Sequence, residues 1–116
     1  MIYKITSTID KLVNLPSANA HCDIPCKIYD PAIALIAAAS VVRLMDIMKE
    51  ASEEEPSLQV QNTIARCVFR KEEEAEKVKQ EVRVIWGDYF KDPHMKEFPE
   101  IHGLTHQIMM KASACK

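Results

Sequence analysis

A run of eleven residues near the N-terminus, HCDIPCKIYDP, concentrates side chains that can bind a metal ion. It holds an imidazole, two thiols, a carboxylate and a phenol, and Cys22 and Cys26 lie four positions apart. Two cysteines at this spacing are compatible with a disulfide, with half of a zinc site or with no site at all. The histidine directly before Cys22 favours a metal site over a disulfide.

Small residues directly before this run indicate proteolytic processing. The segment SANA ends at Ala20 and has the small-residue pattern that peptidases favour before a cleavage point. Residues 1–20 are therefore predicted to be a leader that a maturation protease removes in the cytoplasm. Polar residues interrupt its apolar part, so a secretory signal is the less favoured alternative, and an ordinary N-terminal helix is a third. Cleavage after Ala20 would give His21 a free α-amine.

That amine would complete a donor set of two nitrogens and two sulfurs. The amine of His21, the deprotonated amide of Cys22 and the Cys22 thiolate come from adjoining atoms, and Cys26 supplies the second thiolate. Fused chelate rings favour a planar arrangement, which selects nickel(II) or copper(II), whereas zinc prefers a tetrahedron. The imidazole of His21 can reach an axial position and favour the oxidised metal, which brings cycling between Ni(III) and Ni(II) within reach.

Two stretches of the chain resemble a known family. HCDIPCKIYDP resembles the HCDxPCGxYDP hook of nickel-containing superoxide dismutases, and the cleavage site before it resembles theirs. WGDYFKDPHMKEFPEIH, from Trp86 to His102, is similar to that family's segment between its second and third helices. The resemblance implies a four-helix-bundle subunit of a homohexamer that converts superoxide to dioxygen and hydrogen peroxide. It also implies one nickel ion per subunit.

The resemblance assigns roles to individual residues. His21 would give the amine and axial imidazole, Cys22 an amide nitrogen and a thiolate, and Cys26 the second thiolate. Tyr29 would stand on the substrate-access side and count among the catalytic residues. The pocket would be shaped by two further residues, Asp23 and Tyr89.

Four features depart from the family pattern. Lys27 stands where the family usually has glycine, and it adds positive charge that would attract superoxide. In some members a glutamate of the first helix and an arginine of the second support the axial imidazole, and these places hold Ala37 and Glu74. The family's last helix is expected to lie beyond Lys116.

The elements that must position the hook, residues 21–30, are predicted to be helices. Only two glycines occur in 116 residues, and long stretches mix charged with apolar residues, so the fold class is all-α. Asp30 followed by Pro31 is a helix start that predicts a first helix from Pro31 to about Ala51. A second helix should run from residue 57 or 58 to about 86, and a third should begin near residue 99.

Apolar residues at three-and-four spacing predict which faces are buried. The predicted inward residues of the first helix are Ile33, Ile36, Ser40, Val41, Leu44, Ile47 and Met48. Those of the second are Ile64, Cys67, Val68, Ala75, Val78, Val82, Ile85 and Trp86, with Lys71 and Glu74 in places that a strict stripe would fill. Those of the third are Ile101, Leu104, Ile108 and Met109. Together they describe one up-and-down helical domain, residues 21–116.

Composition excludes several classes of partner. The net charge is −2 and the sequence pI about 6.1, so no basic field attracts nucleic acid or an anionic membrane. The longest apolar run, from Ala32 to Val42, is shorter than the ~20 residues that span a bilayer.

Other histidines and cysteines have simpler interpretations. His94, His102 and His106 are predicted to be surface or packing residues, although the last two have a zinc-like spacing. Cys67 falls on a helix stripe and is predicted to be a small core residue. Two functional alternatives stay open: a non-enzymatic nickel- or copper-binding helical protein, and a thiol-redox or zinc module that keeps the leader.

Overall fold

The computed structural model describes residues 28–116, and every regular element in that range is helical. The elements are α1 (Ala32–Ser52), α2 (Leu58–Val84), a π-helical turn (Ile85–Tyr89), α3 (Asp92–Glu97) and α4 (Ile101–Ala114). The all-α prediction is therefore confirmed for this part of the chain. The predicted leader and most of the predicted hook lie outside the described residues.

α1 begins at Ala32, one residue after the predicted start at Pro31, and Asp30 satisfies one of its first amides. The main-chain N–H of Ala32 donates to Asp30 Oδ1 over 2.7 Å, and Pro31 accepts the first helical bond from the Leu35 N–H over 3.0 Å. The helix ends after Ser52, one residue beyond the predicted end. This boundary fixes the residues that lead from the hook into the helical domain.

The buried face of α1 differs from the predicted one in the first turns of the helix, whereas Val41 is buried as predicted. Ile33 and Ile36 are 43% and 68% exposed, so their placement in the core was wrong. In their place the small residues Ala34 and Ala37 are buried, and Ala51 is buried at the other end of the helix. Alanines on the inner face let two helix backbones approach closely, while the larger isoleucines fall beside the contact.

α2 is the central helix, and its buried face contains two charged residues. Ser57 caps its start by accepting from the Val60 N–H over 3.1 Å. Its buried residues are Cys67, Lys71, Glu74, Ala75 and Val78, which confirms the placement of Cys67 in the core. The α-helix ends at Val84, two residues before the predicted end, where the π-helical turn begins.

The buried Lys71 joins the end of α4 to α2. Its Nζ donates to the main-chain oxygen of Cys115 and, over 2.6 Å, to that of Lys116. Lys116 in turn donates to Glu76 Oε2 over 2.5 Å, and this bond lowers the pKa of the Glu76 carboxyl. Charged donors at a helix C-terminus satisfy carbonyls that have no partner within the helix.

α4 packs on α2 through few large side chains. Ile101 is buried as predicted, but Leu104 and Ile108 are 51% and 37% exposed, so their inward placement was wrong. The three long helices meet at a small core of Ala37, Val78 and Ala112, with Ala38 and Val82 packed against it.

Helix directions follow from these contacts. The start of α1 meets the end of α2 at Ala37 and Val78. The start of α4 meets the turn that follows α2 through His102 and Trp86, and the end of α4 reaches back to Lys71 in the middle of α2. α1 and α4 are therefore both antiparallel to α2, as in an up-and-down bundle. Within residues 28–116, no helix has the length and apolar character that crossing a membrane requires.

Candidate metal centre and its aromatic support

The predicted nickel ligands lie just upstream of the described residues. His21, Cys22 and Cys26, with the pocket residue Asp23 and the cleavage residue Ala20, all fall before Ile28, where the described chain begins. Their roles therefore stay predictions. The structure describes the last residues of the hook and the helices that follow them, starting two positions after Cys26.

Two aromatic residues assigned to the site come together. The rings of Tyr29 and Tyr89 have centroids 5.6 Å apart and are inclined at 60°, a tilted packing that aromatic pairs favour. Tyr29 is half-buried, and Tyr89 is 47% exposed. Because Tyr29 is three positions after Cys26, this contact fixes the C-terminal end of the hook against the far end of α2.

The π-helical turn determines where Tyr89 lies. The Phe90 N–H donates to the Ile85 carbonyl over 3.3 Å, a bond that spans five residues rather than the four of an α-helix. The wider turn accommodates one extra residue before the chain leaves α2. Such turns occur often at functional sites, and here the turn ends with the tyrosine that contacts Tyr29.

His94 supports Tyr89 from the side. Its ring stacks on that of Tyr89 with centroids 5.3 Å apart and an interplanar angle of 17°. The Lys91 N–H donates to His94 Nδ1 over 2.9 Å, so this nitrogen is an acceptor and the imidazole orientation is fixed. Phe90 packs edge-on against both rings, at 5.4 Å from Tyr89 and 6.0 Å from His94. His94 is thus a packing residue of the site region, as the sequence suggested.

His102 is also engaged in packing. The indole Nε1–H of Trp86 donates to His102 Nδ1 over 3.1 Å, and the two rings meet edge-on at 5.8 Å. This contact ties the end of α2 to the start of α4. The neighbouring His106 is exposed. Among residues 28–116, no group of three His, Cys, Asp or Glu side chains is arranged to hold a metal ion.

Ala37 and Glu74 occupy the places where some family members have a glutamate and an arginine, and both are buried. Ala37 is 1% exposed and packs against Val78 and Ala112, so no space is left there for a longer side chain. The carboxylate of Glu74 is bonded to Arg70 Nη2 at 3.1 Å and to Lys77 Nζ at 3.2 Å.

Glu74 lies in a patch of paired charges between α1 and α2. Arg43 and Arg70 line the same pocket, together with Ser40 and Leu44. Arg43 also bonds to Glu50 over 2.9 Å, which raises the pKa of its guanidinium. An arginine at position 74 would lose both of these bonds and would place a like charge beside Arg70 and Lys77. Counting along the sequence found both positions, and helical spacing indicated Lys77 as a partner of Glu74, but it missed Arg70.

The donor chemistry of the hook fits nickel. An amine, an amide nitrogen and two thiolates are the square-planar, sulfur-rich set that nickel(II) accepts. Among the described histidines, His94 is held by ring stacking and His102 by an indole hydrogen bond. The residues that would hold the metal ion are therefore those of the hook.

Comparison with known proteins supports the same interpretation. The sequence model of the family described as nickel-containing superoxide dismutase matches residues 16–116. A superoxide dismutase (Ni) of Streptomyces coelicolor is 41% identical over 100 residues, which are 86% of this chain and 71% of that protein. One from Streptomyces seoulensis is 40% identical over 98 residues, 84% of this chain and 70% of that protein. A solved native structure of a nickel superoxide dismutase matches with a TM-score of 0.67 at 38% identity, covering 82% of this chain and 76% of that one.

Proposed function

Since this chain belongs to the family of nickel-containing superoxide dismutases, we propose that it converts two superoxide ions and two protons to dioxygen and hydrogen peroxide. The observation that carries the proposal is the family match over residues 16–116, which includes the complete sequence HCDIPCKIYDP. The contact between Tyr29 and Tyr89 supports it, because it joins the two stretches on which the resemblance rests.

The proposed nickel ligands are the residues of the processed N-terminus. His21 would bind through its α-amine and imidazole, Cys22 through its amide nitrogen and thiolate, and Cys26 through its thiolate. When bound in this set, one nickel ion per subunit supplies one-electron redox chemistry between Ni(III) and Ni(II). Cleavage between Ala20 and His21 is required, because an uncut chain offers an ordinary amide in place of the amine.

The described residues have a supporting role in this proposal. Tyr29 and Tyr89 carry phenol O–H groups, which donate hydrogen bonds to small anions such as superoxide. His94 stacks on Tyr89 and holds that ring in place, so the ring of Tyr29 has a fixed surface to pack on. Lys27 and Asp23 would set the local charge around the entry to the site.

We also propose a homohexamer that matures in the cytoplasm. Large apolar side chains are exposed on several helices of the described chain, including Leu35 at 66%, Ile36 at 68% and Phe69 at 67%. Exposed apolar surface of this extent favours contacts between protein subunits. The maturation protease would act before the metal binds, since the amine ligand does not exist until then.

The decisive experiment compares three forms of the chain, beginning at Met1, at Ala20 and at His21. The form beginning at Ala20 keeps every ligand side chain but moves the amine by one residue, so it is the matched control. We expect one nickel per chain and rapid superoxide decay, followed by pulse radiolysis, for the form beginning at His21 alone. Cys22→Ser and Cys26→Ser should abolish turnover in that form, whereas Cys115→Ser should keep it.

Other results would favour the alternatives. Nickel binding at one per chain, with superoxide decay no faster than with free nickel, would identify a metal-binding protein without turnover. A native protein whose sequencing still begins at Met1 would refute the processed site and favour the thiol-redox or zinc module.

A further inference from the structure

The first turns of α1 are apolar on every side. Twelve consecutive residues, Pro31 to Val42, carry no charge, and Ser40 is the one polar side chain among them. A helix that is apolar all round is normally buried on all sides. Ile36 is nevertheless 68% exposed and Ile33 is 43% exposed, so the described chain leaves part of this helix open. Apolar surface of this kind favours contact with another protein element.

The open face around Ile36 is separate from the side of α1 that faces α4. Val42 lies toward α4, where it lines a cavity with Ile108. Ser40 lies on the other edge of the helix, toward α2, where it lines a cavity with Arg70. At about 100° per residue, Ile36 is turned by about 40° from Ser40 and by about 120° from Val42. A helix lying between α1 and α4 would therefore leave Ile36 uncovered, so its exposure does not depend on what fills that side.

Opposite charges bracket the uncharged run. Asp30 precedes it and Arg43 follows it. Asp30 accepts one bond from the Ala32 N–H over 2.7 Å, and a carboxylate can accept several. The Arg43 side chain is 60% exposed and bonds to Glu50 over 2.9 Å with one of its five N–H donors. At about 100° per residue, Arg43 is turned by only about 20° from Ile36, so it lies on the same face.

An antiparallel second copy of α1 matches both the apolar run and the charges. The midpoint of the run lies at Ile36, so a two-fold axis there places uncharged residues of one copy against uncharged residues of the other. Ile36 then meets its own counterpart, and Ile33 lies beside the small Ala39 of the other copy. At each end of the contact, Asp30 of one copy comes to the level of Arg43 of the other. A second copy thus supplies charge complementarity at both ends without any further element.

We propose that the outer face of α1, formed by Ile33, Ile36 and Ala39 between Asp30 and Arg43, binds the same face of a second copy of the chain in an antiparallel two-fold contact. One helix pair buries less than the ~800 Å² per partner of a standard interface, so this contact is one of several in an assembly. The proposal rests on the proposed homohexamer, of which it names one interface. Because Asp30 ends the hook, the contact would hold that end of the hook beside a second subunit.

The first test measures the mass of the full chain, without added nickel, by sedimentation velocity. Ile36→Asp places two like charges at the two-fold axis, so it should lower the mass about twofold or more at equal concentration. Leu58→Asp introduces the same charge at an 83% exposed position on α2 and is the control, which should keep the mass. Far-UV circular dichroism checks that each variant keeps its helices.

A mixing experiment tests the charge pairing. Arg43→Glu and Asp30→Lys each place like charges at both ends of the contact between identical copies, so each variant alone should lose mass as Ile36→Asp does. In an equal mixture each variant supplies the charge that the other lacks, and the larger mass should return. Glu50→Gln breaks the same bond of Arg43 within the chain but leaves the contact intact, so it is the matched control and should keep the mass.

Asp30 also caps α1, so its replacement needs a second variant. Asp30→Asn keeps an oxygen that can accept from the Ala32 N–H and removes the charge. This variant should lose mass in the same direction even if Asp30→Lys fails to fold. An Asp30→Asn chain with the mass of the unaltered chain would contradict the charge pairing.

Four results would overturn the proposal. They are a monomeric unaltered chain, an Ile36→Asp variant of full mass, a mixture that does not regain mass, and an Ile36→Asp variant that keeps its mass while residues 1–20 exchange their amide hydrogens faster. The last result would assign the face to the leader of the same chain.

These results are distinguishable from a failure of the proposed function. A chain that associates through α1 but does not turn over superoxide would refute the activity and keep the contact. A hexamer whose mass Ile36→Asp does not change would keep the assembly and refute the contact. A monomer with full turnover would keep the activity and refute both the homohexamer and the contact.

Discussion

Glu74 allows a quantitative test of why this chain departs from its family on α2. Its side chain is 7% exposed and is bonded to Arg70 and Lys77, whose side chains are 59% and 44% exposed. Glu74→Gln keeps the shape and removes the charge, so it should lower the free energy of unfolding by about 1–2 kcal/mol. Glu74→Arg should cost about 3–5 kcal/mol, because it buries an unpaired cation beside Arg70 and Lys77.

The assay is urea unfolding monitored by far-UV circular dichroism. The variants are comparable only if the dependence of the unfolding free energy on urea concentration stays the same. Glu73 is the matched control, since it bonds to the same Arg70 over 3.0 Å but is 45% exposed. Glu73→Gln should change the unfolding free energy by less than about 0.5 kcal/mol. A Glu74→Arg variant as stable as Glu74→Gln would refute the reasoning, since it would show that the patch does not require an anion.

Three further predictions concern how the helices and the site region are held. Lys71→Met should cost about 1.5–3 kcal/mol in urea unfolding, because it removes charged donors from the end of α4. Lys79→Met is the control: it removes an exposed bond to Ser113 of α4 and should cost less than about 0.5 kcal/mol. If Lys71→Met and Lys79→Met cost the same, the role given to Lys71 is contradicted. Ser57→Ala removes the α2 cap and should cost about 1 kcal/mol in the same assay, with Ser57→Asn restoring most of the loss. His94→Phe should keep the stack on Tyr89 but lose the main-chain bond, which should lower the free energy of unfolding by about 1 kcal/mol. His94→Ala should lose the stack as well and therefore weaken the near-UV circular dichroism of the tyrosines. Unchanged near-UV spectra in both variants would show that the imidazole does not hold the ring.

The helix boundaries that depend on local chemistry could be predicted from the sequence. Asp30 followed by Pro31 indicated the start of α1, and the start of α2 was placed at residue 57 or 58, because each cap forms within two or three residues. The π-helical turn carries no such local signal. Its bond from Phe90 to Ile85 shortened α2 relative to the expected helix.

The buried faces were harder to predict than the boundaries. A scale of apolar character favours Ile33 and Ile36 over Ala34 and Ala37, yet close packing of α1 on α2 selects the small residues. The partners of buried charges were also beyond sequence reasoning. Lys71 is satisfied by oxygens more than forty positions later, and spacing along one helix contains no information on such a contact.

The pairing of Tyr29 with Tyr89 has a consequence for the order of folding. These residues lie sixty positions apart, so their contact closes a long loop and gains little until α1 and α2 have assembled. The anchor of the hook should therefore form after the transition state. We expect Tyr29→Leu to accelerate unfolding and leave the folding rate nearly unchanged in stopped-flow measurements, and a slowed folding rate would contradict this order. By this order, the polypeptide completes its scaffold first and fixes the metal-binding end last.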